Sequence, residues 1–179
     1  MEIDNKHIMT VMRKDQEKGF RMIMDKYGEP VYWHIRRLVV SHADAQDVTQ
    51  ETFIKVFRSL NRLQNAEALS CWIYRIATNE ALDLLKRNKR PQEMLQRLDN
   101  KAENAKADTY VDFSDVEAIR LQKAILSLPP KQQATFNLRY YDDMDYTHIA
   151  EITGTTTSTA KVNYHLAKDK IIKFMTSND

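Results

Sequence analysis

The sequence is poor in the residues that build tight turns, disulfides and metal sites. Its 179 residues include three glycines, four prolines and one cysteine. Strands joined by tight turns usually need more glycine and proline, so the composition favours an all-α chain with short loops. The single cysteine, Cys71, excludes an internal disulfide and a cysteine-based metal cluster. Its expected role is that of a small core residue.

Long apolar runs and an export signal are also missing. The apolar runs are only three or four residues long, such as residues 38–40, and the N-terminal MEIDNKH has no cationic patch followed by an apolar block. We therefore expect a cytoplasmic protein without direct membrane insertion. The five histidines show no ligand spacing, and no GxxxxGK[ST] phosphate loop occurs. These observations predict no enzyme activity, no cofactor and no metal.

Charge is nearly balanced over the whole chain, at a formal net +2, but its distribution is uneven. Residues 69–90 carry five basic and two acidic side chains, whereas residues 91–117 carry seven acidic and three basic ones. Residues 155–175 return to positive charge, with four lysines and one aspartate. Two basic modules therefore flank an acidic segment.

The second basic module reads as a helix-turn-helix. Apolar residues at one helical face predict a helix over about 156–170 that packs on a core through Ala160, Tyr164, Ala167, Ile171 and Phe174. A short helix is expected at 146–152, and Gly154 lies where a sharp turn needs a positive φ. The outward stripe is basic and polar, which suits a DNA major groove. An αα-corner with a solvated charged face is the alternative interpretation of this segment alone.

The first basic module belongs to a predicted helical bundle over residues 1–91. Apolar spacing predicts two helical segments joined at a bend near 28–30, and a helix over about 43–60 begins with a capping box at Ser41 and Asp44. A long helix then runs from Leu69 to the lysines and arginines before Pro91. Basic residues there also complement a helix dipole, which is the structural alternative to a binding role.

The acidic segment separates this bundle from a second helical domain. Residues 92–114 have few large apolar groups, which predicts a flexible acidic linker. Residues 115–179 predict a C-terminal four-helix domain in which Pro130 occupies the first turn of a helix at about 131–141. The expected fold is all-α, with two helical domains joined by the linker.

Three blocks of the sequence resemble the extracytoplasmic-function (group 4) sigma factors of bacterial RNA polymerase, in the sigma-70 family. DAQDVTQETFIKVFRSL, residues 44–60, resembles the segment that binds core polymerase, and WIYRIATNEALDLLKR, residues 72–87, resembles the helix that follows it. Residues 128–171 are similar to the reader of the upstream promoter element. The resemblance implies a transcription initiation factor that binds core RNA polymerase, directs it to promoters and assists strand opening.

The resemblance also implies partners and residue roles. Asp47, Gln50 and Glu51 match the residues that bind the coiled-coil of the large clamp subunit, although a solvated helix face also explains such a triplet. Double-stranded and melted promoter DNA are further partners, and the family is often held by an anti-sigma factor. In such factors the linker runs toward the RNA exit channel. A solvated spacer without that role is the alternative explanation for the acidic composition of this segment.

Contact with the downstream element and melted strand is expected from the loop 63–70 and the helix after it. The residues expected there are Asn65, Arg75, Asn79, Lys86, Arg87, Lys89 and Arg90. Asn79 matches the family signature but also fits an ordinary exposed helix position. Trp72 has core spacing, which favours packing over base stacking. The loop LQNAEALSCW departs from the family pattern F-x-G-x-S-x-F-x-T-W, so the resemblance does not imply a base preference at the downstream element.

Upstream contacts are expected along the second helix of the helix-turn-helix, from Thr157, Ser158, Lys161, Val162, Asn163, His165 and Lys168. Lysine suits guanine or phosphate, asparagine suits adenine and valine suits a thymine methyl, which points to an A/T-richer element. A different hypothesis is a stand-alone helix-turn-helix regulator, not associated with polymerase, whose first bundle serves dimerisation or ligand binding. Such a regulator predicts a two-fold symmetric operator.

Overall fold

A computed structural model describes residues 4–88 and 116–177 of the chain. The chain divides into two compact units, Met1–Asp83 and Leu84–Asp179. Helices account for most of the described residues and no strand occurs among them, so the prediction of an all-α fold is confirmed. The predicted linker, residues 92–114, lies outside the described residues, as do Lys89 and Arg90.

The first unit is built around one long central helix. α1 (Asn5–Lys14) and α3 (His42–Ser59) both pack against α2 (Gln16–Val39). A 3₁₀ turn, Leu60–Arg62, leads into an irregular loop, and α4 (Leu69–Asn88) begins in this unit and extends past Asp83. The core of the unit consists of fully buried aliphatic side chains, among them Ile8, Ile23, Val31, Ile35, Leu38, Val56, Leu60, Leu69 and Ile73.

The helices of this unit begin at side-chain caps that the sequence supplies. The Asp15 carboxylate accepts a hydrogen bond from the backbone N–H of Lys18 at 3.0 Å, and the Ser41 hydroxyl accepts one from the N–H of Asp44 at 3.3 Å. Each such cap contributes about 1 kcal/mol of helix stability. The predicted cap at Ser41 is confirmed, but the capping box is incomplete, because the N–H of Ser41 donates to the carbonyl of Val39 at 2.7 Å and not to Asp44.

α2 corrects one prediction, because it passes through residues 28–30 without interruption. Pro30 lacks the N–H that an interior helical hydrogen bond needs, which costs about 3 kcal/mol in a helix interior. Pro30 is exposed, while Ile23, Tyr27 and Val31 are buried against neighbouring helices. Burial of such side chains contributes about 1.5–3 kcal/mol each, so the packed face holds the helix together across the proline.

The second unit holds four helices in the described range 116–177. They are α5 (Val116–Leu126), α6 (Pro130–Tyr140), α7 (Tyr146–Thr153) and α8 (Thr157–Thr176). α8 packs against each of the other three. The core of this unit is formed by Ala124, Ile125, Leu128, Phe136, Ala167 and Ile171. The predicted four-helix domain is confirmed, and Pro130 lies at the start of α6 as expected.

The turn between α7 and α8 has the conformation that its glycine predicts. Gly154 adopts φ 65° and ψ 43°, the left-handed region, and its N–H and that of Thr155 both donate to the carbonyl of Ala150. The Thr156 hydroxyl then accepts a hydrogen bond from the N–H of Thr159 at 3.1 Å and caps α8. This tight turn sets the angle at which α8 leaves α7.

Candidate polymerase and promoter interfaces

The outer side of α3 carries the three polar residues predicted to bind polymerase. Asp47, Gln50 and Glu51 are all exposed, whereas Val48 and Phe53 of the same helix are buried. Residues at i, i+3 and i+4 share one face of a helix. The structure therefore brings the triplet together on a single solvent-facing surface, which we call the α3 triplet.

An apolar groove lies beside the α3 triplet, between α2 and α3. Its volume is about 930 Å³, and its lining consists mainly of apolar and aromatic side chains: Phe20, Met24, Tyr32, His42, Gln46, Thr49, Gln50, Phe53, Ile54, Phe57 and Arg58. Gln50 belongs both to the triplet and to this α2–α3 groove. Met24 lines this groove, and 38% of its surface is exposed to solvent.

The helical spacing of Phe53, Val56 and Phe57 predicts that all three turn inward, and the groove corrects this prediction for Phe57. Phe57 meets the ring of Phe20 edge-on, with centroids 5.0 Å apart, yet remains 37% exposed. The two rings form one wall of the groove instead of filling the core. Sequence reasoning missed the groove, although α3 has one signal for it: Ile54 and Phe57 extend the apolar stripe beyond the width needed for one packed face.

The predicted downstream residues lie on the loop after the 3₁₀ turn and on the outer side of α4. Arg75, Asn79 and Lys86 are exposed, and their spacing of four and seven residues places them on one helical face. Arg87 is exposed beside them. In the loop, the Asn65 side-chain oxygen accepts a hydrogen bond from the N–H of Glu67 at 2.9 Å, which folds the loop into a local turn.

The inner side of α4 packs into the first unit. Cys71 is buried, as predicted for a small core residue, and Leu69 and Ile73 are fully buried. Trp72 is half-buried, so its indole is neither a full core residue nor an exposed wedge. Lys55 of α3 forms an ion pair with Glu80 of α4. This pair connects the helix of the α3 triplet to the helix that carries the predicted downstream residues.

The predicted upstream residues form a basic and polar surface on α8. Those exposed are Thr157, Ser158, Lys161, Val162, His165 and Lys168, and Asn163 is half-buried. The opposite side of the helix buries Ala160, Ala167 and Ile171 and half-buries Tyr164, as predicted. Phe174 is the exception: it stays 36% exposed near the end of α8, where fewer helices remain to cover it.

Two of the basic side chains on this surface rest on tyrosine rings. The Lys161 ammonium lies 6.0 Å from the ring centre of Tyr146, and that of Lys168 lies 5.9 Å from the ring centre of Tyr164. Such cation–π contacts contribute about 0.5–1 kcal/mol at exposed sites and restrict the positions of the charges. Tyr164 in turn stacks on Phe136 at 5.9 Å. Sequence reasoning did not assign Tyr146 or Tyr164 this supporting role.

The start of α7 adds a fixed negative charge to the helix-turn-helix. The Asp145 carboxylate accepts hydrogen bonds from the backbone N–H of His148 at 2.9 Å and from its ring Nδ1 at 2.7 Å. The backbone hydrogen bond is the largest cause that lowers the pKa of Asp145 below its ordinary value. Burial raises the pKa of the Tyr164 phenol, which stays protonated at neutral pH.

Among the helices of residues 4–88 and 116–177, none combines the length and the apolar composition that a membrane-spanning segment requires. In the same two ranges, no group of three or more histidine, cysteine, aspartate or glutamate side chains is placed to hold a metal ion.

Comparison with known proteins identifies the family of both units. The family model for sigma-70 region 2 matches residues 23–91, and that for sigma-70 region 4 matches residues 118–171. The ECF RNA polymerase sigma factor SigW of Bacillus subtilis is 27% identical over 188 residues, covering 97% of both chains. The RNA polymerase sigma factor SigV of the same organism is 30% identical over 129 residues, covering 72% of this chain and 74% of SigV.

A solved structure shows the same fold. The sigma factor RpoE of Bartonella quintana, determined in complex with the anti-sigma factor NepR, superposes with a TM-score of 0.65. The two sequences are 16% identical, and the superposition covers 93% of this chain and 99% of RpoE. Matches to two sigma regions in the expected order do not favour a stand-alone helix-turn-helix regulator. The chain belongs to the extracytoplasmic-function group of the sigma-70 family, whose members are transcription initiation factors of RNA polymerase.

Proposed function

We propose that this chain binds core RNA polymerase, directs it to promoters with two recognition elements and assists strand opening without covalent chemistry. The observation that carries the proposal is the match of two sigma regions to the two units, each of which presents an exposed polar or basic surface. A factor with this task acts on DNA in the cytoplasm and needs no cofactor.

The polymerase-binding surface in this proposal is the α3 triplet. Its two carboxylates and one amide face solvent together, so they are available to basic and polar groups of a partner. The partner is the coiled-coil of the large clamp subunit. Charges of this kind mainly guide and align association, and their reversal weakens docking because like charges then face each other.

The loop before α4 and α4 itself, which begins in the first unit and extends past Asp83, also contact the downstream element and the opened strand. The aligned face of Arg75, Asn79 and Lys86 offers two cations for phosphates and one amide for a base edge. Arg87 adds positive charge beside this face, and Lys89 and Arg90 are predicted to continue it. Asn65 in the preceding loop supplies a further polar group near a base released from the stack.

The second unit reads the upstream element with α8. The residues proposed for this contact are Thr157, Ser158, Lys161, Val162, Asn163, His165 and Lys168. Their exposed stripe begins at the first residue of α8, and the N-terminal residues of a recognition helix are the ones that reach base edges. Lys161 and Lys168 supply charge for phosphates.

Run-off transcription with purified core polymerase tests the proposal. Addition of the chain is expected to give a promoter-specific transcript, and the double change Asp47→Lys with Glu51→Lys is expected to reduce that transcript at least tenfold by weakening docking. The double change Asp25→Lys with Glu29→Lys, which reverses two exposed charges four residues apart on α2, is the matched control and should retain activity. Failure of the chain to co-purify with core polymerase, or binding only to a symmetric operator, would instead support a stand-alone regulator.

The α2–α3 groove supports a second partner, an anti-sigma factor that places an amphipathic helix in it. Contiguous exposed apolar surface of this kind marks a protein-binding site, and a helix laid into an apolar groove is a common mode of peptide recognition. RpoE, which shares this fold, was solved with an anti-sigma factor. Since Gln50 lies in both the groove and the α3 triplet, an inhibitor seated there would block polymerase docking.

Substitution of Met24 tests this partner. Met24 lines the groove and is 38% exposed, so Met24→Glu places a charge in the groove without opening the core. The variant is expected to keep full run-off activity in vitro and to raise promoter activity severalfold in cells of the native host kept without an inducing signal. Equal promoter activity for the variant and the wild type in those cells would contradict inhibitor binding at this groove.

A further inference from the structure

Two apolar side chains stand in the middle of the basic and polar surface of α8. Val162 is 55% exposed and Leu166 is 43% exposed. The residue before each of them, Lys161 and His165 respectively, also faces solvent. Their spacing of four residues places them one helical turn apart on the same side, with Cβ atoms about 5–6 Å from each other. Together they make a small apolar patch on a surface that carries the exposed cations of Lys161 and Lys168, and the exposed carboxylate of Asp169 follows Leu166 by three residues.

Packing of the second unit does not account for this patch. The core contacts of α8 are made by Ala160, Ala167 and Ile171, and residues two and six positions after Ala160 point away from that side of an α-helix. Both side chains therefore leave apolar surface uncovered. Valine in a helix also has one strongly preferred rotamer, so the methyl groups of Val162 are already fixed for contact.

The surroundings of the patch indicate what covers it. Lys161 and Lys168 both lie to one side of it, about 100–120° around the helix from Val162. Each of their ammonium groups is positioned by a tyrosine ring, which favours a partner with negative charge along that side. Val162 is the sixth residue of α8, within the N-terminal part of a recognition helix that reaches base edges. In the major groove the thymine C5-methyl is the apolar group that the bases display.

We propose that Val162 and Leu166 select thymine in the upstream promoter element by contact with C5-methyl groups. This inference rests on the proposed function of α8 and adds the chemical group of the DNA that α8 recognises. Cytosine at the same position has no methyl group and presents an amino group that neither side chain can accept. Removal of one buried methyl weakens binding by about fourfold, so a single contact is large enough to measure.

The test compares thymine with deoxyuridine, which differs only by the C5-methyl group. Holoenzyme assembled from the full chain and core polymerase is first used to select the bound element from a random duplex library. Each thymine in the upstream element is then replaced in turn by deoxyuridine, and the dissociation constant is measured. Because the protein is unchanged in this comparison, folding does not affect its outcome.

The wild type is expected to bind about fourfold more weakly when deoxyuridine replaces thymine at one or two adjacent positions. Val162→Ala or Leu166→Ala should remove the difference at its own position, so that thymine and deoxyuridine DNA bind equally. Val116→Ala is the matched control, since Val116 is 76% exposed on α5 and outside the helix-turn-helix, and it should preserve the discrimination.

Two outcomes would overturn the inference and leave the proposed function intact. One is promoter-specific binding with equal affinity for thymine and deoxyuridine at every upstream position. The other is discrimination that persists unchanged in both alanine variants, which would show that other side chains contact the thymine methyl groups. Absence of any sequence-selective binding by the holoenzyme is a different result, because it would remove the proposed function itself.

Discussion

At the scale of single residues, two glycines of α2 differ in whether the structure has room for a side chain in their place. A Cβ atom added at Gly19 would lie 2.5 Å from the Cβ and 2.6 Å from the Cα of Met12 in α1, distances that packed atoms do not adopt. A Cβ added at Gly28 would meet nothing closer than the terminal methyl of Met24, at 3.8 Å. Gly19 therefore permits the close crossing of α1 and α2, whereas Gly28 only lowers the helix propensity of α2.

We expect Gly19→Ala to destabilise the chain by about 1–3 kcal/mol, because the backbone of α1 must move away and overpacking costs about this much. Gly28→Ala is the matched control with the same chemical change in the same helix. It should stabilise the chain by about 1 kcal/mol, the difference in helix propensity between alanine and glycine. Urea denaturation of both full-length variants measures the two effects, and a stabilising Gly19→Ala would contradict the close crossing.

Residue-scale predictions from the sequence were confirmed where the cause is local. The left-handed Gly154, the cap at Ser41 and the helix-initiating Pro130 each depend on the conformational preferences of one residue and its neighbours. Phe57 and Phe174 have the same apolar spacing as buried residues but stay partly exposed. Whether an apolar position is covered depends on a second helix, and periodicity along one helix contains no information about that helix.

At the scale of elements, α2 shows how packing overrides a local signal. The glycine and proline in residues 28–30 predict a break, yet one helix continues from Gln16 to Val39. The helix gains its stability from the buried face on both sides of Pro30, since tertiary packing outweighs intrinsic propensity. Pro30 itself is exposed, so its ring faces solvent and does not interrupt the packed face of α2.

A continuous α2 predicts that Pro30→Ala stabilises the chain. Alanine restores the backbone N–H and removes the clash of the proline ring, and together these changes stabilise a helix interior by about 3 kcal/mol. Alanine also makes the unfolded chain more flexible, which destabilises the folded state by about 1 kcal/mol. We expect a net gain of about 1–2 kcal/mol in the free energy of unfolding, measured by thermal or urea denaturation with unchanged run-off activity. A destabilised variant would indicate a functional bend at this position.

Two elements were absent from the sequence-based description. α1 is a separate helix capped by Asp4, with Ile8 and Met9 buried on α2, and the blocks that resemble the family begin only at residue 44. The α2–α3 groove was also missed, because an unfilled space between two helices depends on their separation. Sequence patterns identify which face of a helix is apolar, but the distance between two such faces follows from all the side chains packed between them.

At the scale of the whole molecule, the uneven charge along the sequence is presented on defined surfaces. The lysines of residues 155–175 include Lys161 and Lys168 on the exposed side of α8, and those of residues 69–90 include Lys86 on the outer side of α4. The net charge of +2 would not by itself indicate DNA binding. The segregation of apolar residues into the core of each unit leaves these cations facing solvent, where phosphates can reach them.

This arrangement predicts a salt dependence that single substitutions can dissect. Each lysine–phosphate contact contributes about 0.9 to the slope of log affinity against log salt concentration, because it releases condensed counterions from DNA. We expect Lys161→Ala and Lys168→Ala each to lower the slope for holoenzyme binding to a promoter duplex by about 1, with a similar loss of affinity on all sequences. Lys14→Ala, an exposed lysine of α1, serves as the control and should leave the slope unchanged. An unchanged slope in both α8 variants would mean that these lysines do not face the DNA backbone, and the surface that α8 presents to the promoter would have to lie elsewhere on the helix.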